Sequence, residues 1–293
     1  MIEGRIVKSL SGFYTVKSDK GLFTCKGRGV FRNQNITPLV GDFVLFKKTD
    51  EQTGYITKIE ARKNELIRPP IANVTQAIIV HSACQPTFNP LLLDRFLVLV
   101  ESEQISPMIV ITKLDLASEP EIDRVNQFKS EYEEIGYNVQ LFSLHEEQAL
   151  TSIQRFFPDE VTVLTGQSGV GKSTLLNRIR PDLSIETGEI SKTLGRGKHT
   201  TRHVELIEIN DGLVADTPGF SSLEFTSIEP EQLSLYFKEM KEFVHQCKFR
   251  GCLHHKEPKC AVKQAVKDEV INSFRYDHYI KFLQEIMLRK PRY

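Results

Sequence analysis

The sequence predicts a multidomain chain of three parts: an N-terminal β-barrel, a central α/β domain and a C-terminal α-helical domain. Three observations lead to this prediction. Short strand-like runs fill the first 60 residues, a glycine-rich loop follows a β-branched run near the middle, and three cysteines and a histidine lie together near residue 250. The predicted boundaries are residues 1–65, 66–228 and 229–293, and the helical pattern of the third part begins with a single helix over residues 231–245.

The N-terminal part contains five strand-like runs separated by turns. The runs are residues 5–10, 13–16, 22–26, 42–46 and 54–59, and glycines mark several of the turns. Five short strands over this length favour a small barrel of the oligonucleotide-binding (OB) type, and an SH3-like barrel is the alternative. Residues 62–71, which contain Pro69-Pro70, are predicted to be a linker.

The central motif is a complete phosphate-binding loop, Gly166-Gln167-Ser168-Gly169-Val170-Gly171-Lys172-Ser173-Thr174. Its glycines allow a tight turn whose backbone N–H groups point at phosphates, and the next helix adds its positive end. Lys172 is expected to reach the β- and γ-phosphates, and Ser173 to bind Mg2+. The β-branched run before the loop ends at Thr165, so strand, loop and helix follow in the order that such a site requires.

A second motif, Asp216-Thr217-Pro218-Gly219, follows the strand-like run 212–215. Asp216 is therefore expected at the carboxyl end of a strand beside the phosphate loop, where a Mg2+ carboxylate belongs. The backbone N–H of Gly219 is a candidate contact to the γ-phosphate.

A third motif, Thr112-Lys113-Leu114-Asp115, follows the strand-like run 107–111. The Asp115 carboxylate would accept hydrogen bonds from N1–H and the 2-amino group of guanine, while the Lys113 stem covers the ring. Adenine lacks these donors, so this pairing selects guanine. Thr112 stands where most GTPases have Asn, and an ordinary surface loop is the alternative. Ser143, after the run 138–142, is either a further base-site residue or a plain loop residue.

The order of these motifs is unusual. In an ordinary GTPase the guanine-reading segment follows the phosphate loop, whereas here Asp115 precedes Gly166. Because domain termini often lie close together, a chain can be cut and rejoined with its site intact. The sequence therefore predicts a P-loop GTPase domain with circularly permuted motif order.

Residues 193–202 are glycine-rich and basic and are predicted to form a mobile loop. Thr200 or Thr201 would contact Mg2+ and the γ-phosphate, and the sequence does not choose between them. Phe220 occupies the position where many GTPases have a water-orienting Gln. His199 is the candidate for that task, and a solvated loop histidine is the alternative.

The spacing Cys247-x4-Cys252-x-His254-x5-Cys260 fits a tetrahedral zinc site with four protein ligands. Since no position is left for water, the zinc is predicted to be structural, one per chain. His255 could compete with His254, and unligated cysteines are the alternative. Cys25 and Cys84 are expected to be buried thiols.

The 38 Lys and Arg residues balance the 38 Asp and Glu residues, but their distribution is uneven. Residues 1–60 and 229–293 each carry a net charge of +4, and residues 61–228 carry −8. Basic ends with the aromatic residues Phe13, Tyr14, Phe23 and Phe31 suit an RNA surface, and an ordinary solvated face is the alternative. No segment resembles a signal peptide or reaches membrane-spanning length, so we expect a cytoplasmic monomer without membrane contact.

Taken together, the barrel, the permuted motifs and the zinc spacing resemble the RsgA (YjeQ/YloQ) family over essentially the whole chain. The resemblance implies a bacterial cytoplasmic GTPase that binds the 30S subunit and its 16S rRNA late in maturation, with hydrolysis stimulated by that subunit. It also implies Lys172 and Ser173 as phosphate and magnesium residues and Lys113 and Asp115 as base readers. The implied zinc ligands are Cys247, Cys252, His254 and Cys260.

Two other functions remain open from the sequence. A P-loop ATPase or small-molecule kinase would need only residues 166–173, although Asp115 favours guanine. A non-catalytic RNA-binding assembly protein with GTP as a structural ligand would fit Phe220.

Overall fold

The computed structural model describes residues 1–27, 31, 36–67, 69–143, 146–183, 204–216, 219–220 and 223–289. The strands are β1 (Ile2–Leu10), β2 (Phe13–Ser18), β3 (Gly21–Gly27), β4 (Phe43–Lys48), β5 (Thr53–Ile59), β6 (Glu65–Ile67), β7 (Pro70–Ala72), β8 (Gln76–Ser82), β9 (Ser106–Thr112), β10 (Asn138–Leu141), β11 (Val161–Thr165), β12 (Val204–Ile209) and β13 (Gly212–Ala215). The helices are α1 (Pro90–Ser102), α2 (Glu119–Glu134), α3 (Glu147–Gln154), α4 (Lys172–Ile179), α5 (Lys238–Val244), α6 (Ala261–Lys267) and α7 (Ser273–Leu288).

Strands β1 to β5 close into a barrel in the order β1-β2-β3-β5-β4, with β4 returning to β1. The β3–β5 pair is parallel and the other pairs are antiparallel. Alternate residues such as Ile6, Val16 and Phe46 point inward and are fully buried. This order is that of the OB fold, so the topology decides between the two predicted barrel types.

The residues predicted as a linker contain the β6–β7 hairpin. The hairpin is fixed to the barrel, because Val40 bridges Ile71 and the Arg62 guanidinium donates to both carboxylate oxygens of the buried Asp42. The linker prediction missed this structure because a three-residue strand is too short to show a period of its own.

The central domain is built on parallel strands in the order β10-β9-β8-β11-β13, with β12 antiparallel beyond β13. Every residue of β8 and β11 is buried, as expected for a sheet with helices on both faces. One face packs against α1 and α2 and the other against α3 and α4. This arrangement is the α/β architecture that the alternating strand and helix patterns predict.

The C-terminal part is helical, with one difference from the sequence prediction. The single helix predicted over residues 231–245 is a short 3-10 turn, Leu233–Tyr236, followed by α5. Phe237 separates the two because it takes an extended backbone conformation (φ −109°, ψ 107°) while its ring is fully buried near Tyr279 and Phe282. Tertiary packing here overrides helix propensity.

A buried network of charged groups joins the C-terminal part to the central domain. Asp94 on α1 accepts hydrogen bonds from Tyr132 Oη (2.6 Å), His278 Nδ1 (2.5 Å) and the Arg275 guanidinium. Arg275 Nε also donates to Glu239 at 2.6 Å, and both Arg275 and Asp94 are fully buried. Nothing in the sequence signalled this network, since Asp94 and Arg275 are 181 residues apart.

Two further arginines hold the segment that follows residue 220. Arg95 on α1 donates to the Leu223 carbonyl at 3.1 Å, and Arg289 donates to the Phe225 carbonyl at 2.5 Å. The Arg95 guanidinium also lies 4.6 Å from the centre of the Phe225 ring. The chain leaving the Asp216 motif therefore rests against α1 and the end of α7.

Candidate nucleotide site and metal centre

The three nucleotide-binding motifs leave the sheet at one edge. Strands β8, β9, β11 and β13 are parallel neighbours or next neighbours, so their carboxyl ends lie on the same side. The segments that begin after Thr112, Thr165 and Ala215 start from this edge. Crevices at the carboxyl edge of such sheets are where ligands bind in open α/β folds.

The phosphate loop has the backbone conformation that its glycines permit. Gly166, Gly169 and Gly171 have φ values of 137°, 81° and 92°. A Cβ at Gly166 would lie 2.1 Å from the Val80 carbonyl oxygen, so any side chain there would collide with the neighbouring strand. The next residues begin α4, whose N-terminal N–H groups and dipole favour an anion.

Lys172 folds back onto its own loop. Its Nζ donates to the carbonyls of Gly166 (2.8 Å) and Gln167 (2.7 Å). Burial lowers the pKa of Lys172 from 10.5 to about 8. The Ser173 side chain next to it is largely buried at the start of α4. The loop thus presents a cation and a hydroxyl, the two groups that a magnesium nucleotide requires.

Thr112 connects the base-reading segment to the phosphate loop. Its hydroxyl lies 2.5 Å from the Val170 carbonyl oxygen and 3.0 Å from that of His81, and it can donate to either. Lys113 takes a left-handed conformation (φ 60°), and its Nζ donates to the Gln85 carbonyl. No sequence pattern indicates the contact with Gln85, because only the fold brings the two loops together.

The remaining residues predicted to bind the guanine base follow Thr112 and Lys113 in the chain. Leu114 and Asp115 belong to a 3-10 turn, Leu114–Leu116, and Asp115 is exposed to solvent. Ser143 follows β10 and is buried, and its carbonyl accepts a hydrogen bond from the Glu146 N–H at 3.2 Å. Strand β10 lies next to β9, so Ser143 leaves the sheet at the same edge as Thr112.

Asp216 is held by the first residues of β12. One of its carboxylate oxygens accepts from the Glu205 N–H at 3.0 Å, and its own N–H donates to the Glu205 carbonyl at 3.0 Å. The Gly219 N–H, a candidate phosphate contact, donates here to the Leu164 carbonyl at 2.8 Å, while Thr165 Oγ1 donates to the Gly219 carbonyl. A γ-phosphate contact would require the Gly219 N–H to exchange partners.

Three predicted catalytic residues, His199, Thr200 and Thr201, lie outside the described residues, as does the whole segment 193–202. Phe220 is described: it is half-buried and packs against the large core of the barrel and central domain. Its ring offers no hydrogen-bonding group to a water molecule.

The four predicted metal ligands come together. One ligand atom from each of Cys247, Cys252, His254 and Cys260 lies within 4.8 Å of the others. His254 is fully buried with Nδ1 in this group, so the structure selects His254 over His255. The Cys/His cluster could therefore hold a metal ion.

The spacing of these atoms fits a tetrahedral ion. A zinc ion with ordinary bond lengths separates two sulfurs by about 3.8 Å and a sulfur from a nitrogen by about 3.6 Å. The Cys247 and Cys260 sulfurs are 3.9 Å apart, and His254 Nδ1 lies 3.5 Å from the first and 3.3 Å from the second. Burial raises the pKa of the Cys252 thiol to about 12, and the charge of a bound cation would favour the thiolate.

The metal segment is attached to α7. Tyr276 Oη donates to the His254 carbonyl at 2.7 Å, and Tyr279 Oη donates to the Leu253 carbonyl at 2.8 Å. Cys260 caps α6, because its sulfur accepts from the Lys263 N–H. Ligands and helices therefore share one small core, in which Cys252 and Cys260 are themselves buried members.

A phosphate loop, an Asp-x-x-Gly motif and a guanine-type segment at one sheet edge define the central domain as a P-loop GTPase domain, with its motifs in permuted order. Family models agree in both parts of the chain: residues 59–226 match the RsgA GTPase model and residues 3–56 match the RsgA N-terminal domain. The chain belongs to the RsgA GTPase family.

Relatives match over the full length. A protein of Oceanobacillus iheyensis, named small ribosomal subunit biogenesis GTPase RsgA 2, is 59% identical over 293 residues and is covered completely, as is this chain. A Bacillus subtilis protein named small ribosomal subunit biogenesis GTPase RsgA is 56% identical, again with complete coverage of both chains.

Solved structures show the same fold. The crystal structure of YloQ, described as a circularly permuted GTPase, superposes with a TM-score of 0.87 at 51% identity, covering 100% of this chain and 97% of that one. YjeQ from Thermotoga maritima superposes with a TM-score of 0.87 at 34% identity, covering 99% of each chain. The predicted fold, with a barrel followed by a permuted GTPase domain and a helical Cys/His domain, is confirmed.

Among the residues that the structure describes, no helix has the length and apolar character needed to span a membrane.

Proposed function

We propose that this chain hydrolyses GTP during late maturation of the 30S ribosomal subunit, that the subunit stimulates hydrolysis, and that the chain contacts 16S rRNA. The observation that carries the proposal is the convergence of Gly166–Ser173, Asp216 and Asp115 on one sheet edge. The names of the Oceanobacillus iheyensis and Bacillus subtilis relatives support the ribosomal role.

In the proposed mechanism the phosphate loop binds the nucleotide first. Lys172 gives up its carbonyl partners Gly166 and Gln167 and donates instead to β- and γ-phosphate oxygens, where its positive charge is more strongly favoured. Asp115 accepts from the guanine edge, and the Lys113 stem covers the ring. Thr112 keeps the base and phosphate segments at a fixed separation through its contact with Val170.

Ser173 and Asp216 would hold Mg2+, which neutralises developing charge on the β- and γ-phosphate oxygens. Water attacks the γ-phosphorus, the bond to the β-γ bridging oxygen breaks, and GDP and inorganic phosphate leave. Since Phe220 cannot orient water, we assign that step to His199, with Thr200 or Thr201 near the γ-phosphate; these three assignments rest on sequence order. Ser143 completes the base site.

The metal centre has a structural role in this proposal. With Cys247, Cys252, His254 and Cys260 as ligands, a zinc ion leaves no position for water, so its contribution is a cross-link between the segment 247–260 and α7. The basic residues around it, Lys248, Arg250 and Lys256, would then face the RNA phosphates. We further propose a cytoplasmic monomer.

The test compares the wild-type protein with Lys172→Ala. Loss of the phosphate-binding cation should lower stimulated GTP turnover by at least about a hundredfold, with circular dichroism unchanged. Turnover is measured with and without purified 30S particles, and with ATP in place of GTP. Normal turnover in Lys172→Ala would contradict the assigned site, equal use of ATP would favour an ATPase, and binding without turnover would favour a structural role for GTP.

A further inference from the structure

One edge of strand β1 pairs with strands from two parts of the molecule, the barrel and the GTPase domain. Its first half, Ile2–Arg5, pairs with β4 and closes the barrel. Its second half leaves β4, and Lys8 and Ser9 pair with Glu205 and Val204 of β12 in the GTPase domain. An irregularity in the register between Ile6 and Lys8 marks the change, and bulges at such points redirect a strand.

Glu205, which pairs with β1, is also the residue that forms hydrogen bonds with Asp216. The Glu205 N–H donates to the Asp216 carboxylate, and the Asp216 N–H donates to the Glu205 carbonyl, both at 3.0 Å. The Glu205 carboxylate forms an ion pair with Lys8 Nζ at 2.8 Å. Asp216 is thus two interactions away from the barrel. Val204 and Glu205 are the first described residues after the segment 184–203, which carries His199 and the two threonines.

The β1–β12 junction is short, and the barrel and the GTPase domain also share a hydrophobic core and the bridge from Val40 to Ile71. Among the residues that the structure describes, two pairs join β1 to β12, and the Lys8 and Glu205 side chains are about a third exposed (35% and 36%). Beside it a cleft of about 1190 Å³ separates the start of β1 from the loops around Asp159 and Asp211. Within this interface, the β1–β12 pairs are the contacts that reach the residue bonded to Asp216.

We propose that Lys8 and Glu205 are positioning residues, through which the barrel sets the place of Asp216 and so couples binding of RNA by the barrel to the magnesium site. This inference rests on the proposed function for its partner. When the barrel docks on RNA, β1 holds the start of β12 in its strand and fixes the Glu205 backbone against Asp216. When the barrel is free, that backbone is held less tightly.

The test variants compare two similar ion pairs between the barrel and the GTPase domain. Lys8→Glu places two carboxylates together at the junction. Lys17→Glu makes the same change in a second barrel-to-GTPase ion pair, Lys17–Glu208 (2.6 Å), whose partner residue does not bond Asp216. The double variant Lys8→Glu with Glu205→Lys restores the attraction with the charges exchanged. A variant that fails to fold would lose the melting transition of the wild-type protein, and the charge exchange then supplies the decisive comparison.

Two readouts do not depend on catalysis. The first is the Mg2+ concentration that half-maximally slows release of a fluorescent GDP analogue; we expect Lys8→Glu to raise it about threefold, as for the loss of one partly exposed ion pair. The second is amide hydrogen exchange at residues 204–209, which should become faster. Lys17→Glu should leave both at wild-type values, and the charge exchange should restore them.

The third readout is the ratio of GTP turnover with and without 30S particles, which should fall in Lys8→Glu and recover in the charge exchange. Equal behaviour of Lys8→Glu and Lys17→Glu in the Mg2+ titration and in hydrogen exchange would overturn the inference. If 30S particles fail to stimulate the wild-type protein, the proposed function fails, and the first two readouts still decide whether the barrel positions Asp216.

Discussion

The GTPase domain has two interfaces of opposite character. Toward the C-terminal part, Asp94 and Arg275 meet with no solvent exposure, surrounded by aromatic rings. Toward the barrel, Lys8–Glu205 and Lys17–Glu208 are ion pairs at the surface, with side chains 35–63% exposed. Buried pairs are costly to break, whereas exposed pairs contribute little. The charged contacts are therefore expected to hold the C-terminal part more firmly than they hold the barrel, whose attachment depends instead on the shared hydrophobic core.

The largest effect on the comparison of the two interfaces is expected from loss of the proposed zinc site. Cys252→Ser should abolish stoichiometric zinc binding and destabilise the segment 247–260 by several kcal/mol, since structural zinc contributes about 10 kcal/mol in finger peptides. Because Tyr276 and Tyr279 bond this segment, α7 and its Arg275 should loosen as well. Metal analysis and hydrogen exchange check this. Cys25→Ser, in the buried barrel core, is the control and should keep its zinc.

The second effect concerns the buried network itself. Asp94→Ala leaves the Arg275 guanidinium buried with one carboxylate instead of two, and should lower the free energy of unfolding by about 3–5 kcal/mol. Tyr132→Phe removes one hydrogen bond from the same carboxylate and should cost about 1 kcal/mol. Urea unfolding measures both. If the two variants lost equal stability, the interface would not depend on its buried charges.

A change of pH is expected to perturb the nucleotide site through Lys172. Lys172 is charged below its pKa of about 8 and neutral above it, and phosphates favour the charged form. GDP affinity should therefore fall as pH rises above 8, by up to about tenfold per unit, with proton uptake on binding. Since burial lowers this pKa from 10.5 in the unfolded chain, stability without nucleotide should rise with pH between 8 and 10.5.

Isothermal titration between pH 7 and 9 measures the affinity, and Lys172→Arg is the control because its guanidinium stays charged. The difference in slope between the two proteins isolates the lysine from titration of guanine itself. An identical pH dependence in both would remove Lys172 from the explanation.

The smallest effect is expected at the barrel. Lys17→Ala breaks an exposed ion pair and should change the free energy of unfolding by at most about 1 kcal/mol. Lys129→Ala, which breaks an exposed pair within α2, serves as the comparison inside one element. A loss of several kcal/mol in Lys17→Ala alone would mean that the barrel is as firmly attached as the C-terminal part.

Much of the fold could be predicted from local patterns. The phosphate loop and its flanking strand and helix are encoded within residues 161–179, and the candidate metal ligands within 247–260, so their types and spacing are visible in one segment. The helix predicted across Phe237 was wrong because burial of one ring decided the backbone there. The β6–β7 hairpin was missed because its strands are too short for a pattern.

The sequence by itself determined the class of domain, the permuted order and the three cysteines of the candidate metal site, because each is visible as a short motif. It could not choose between His254 and His255, or between OB and SH3-like barrels. Only the tertiary structure decided those points, and it alone revealed the Asp94–Arg275 network and the Lys8–Glu205 junction. These contacts join residues more than 180 positions apart. A local sequence pattern does not indicate which distant surfaces come together when the chain folds.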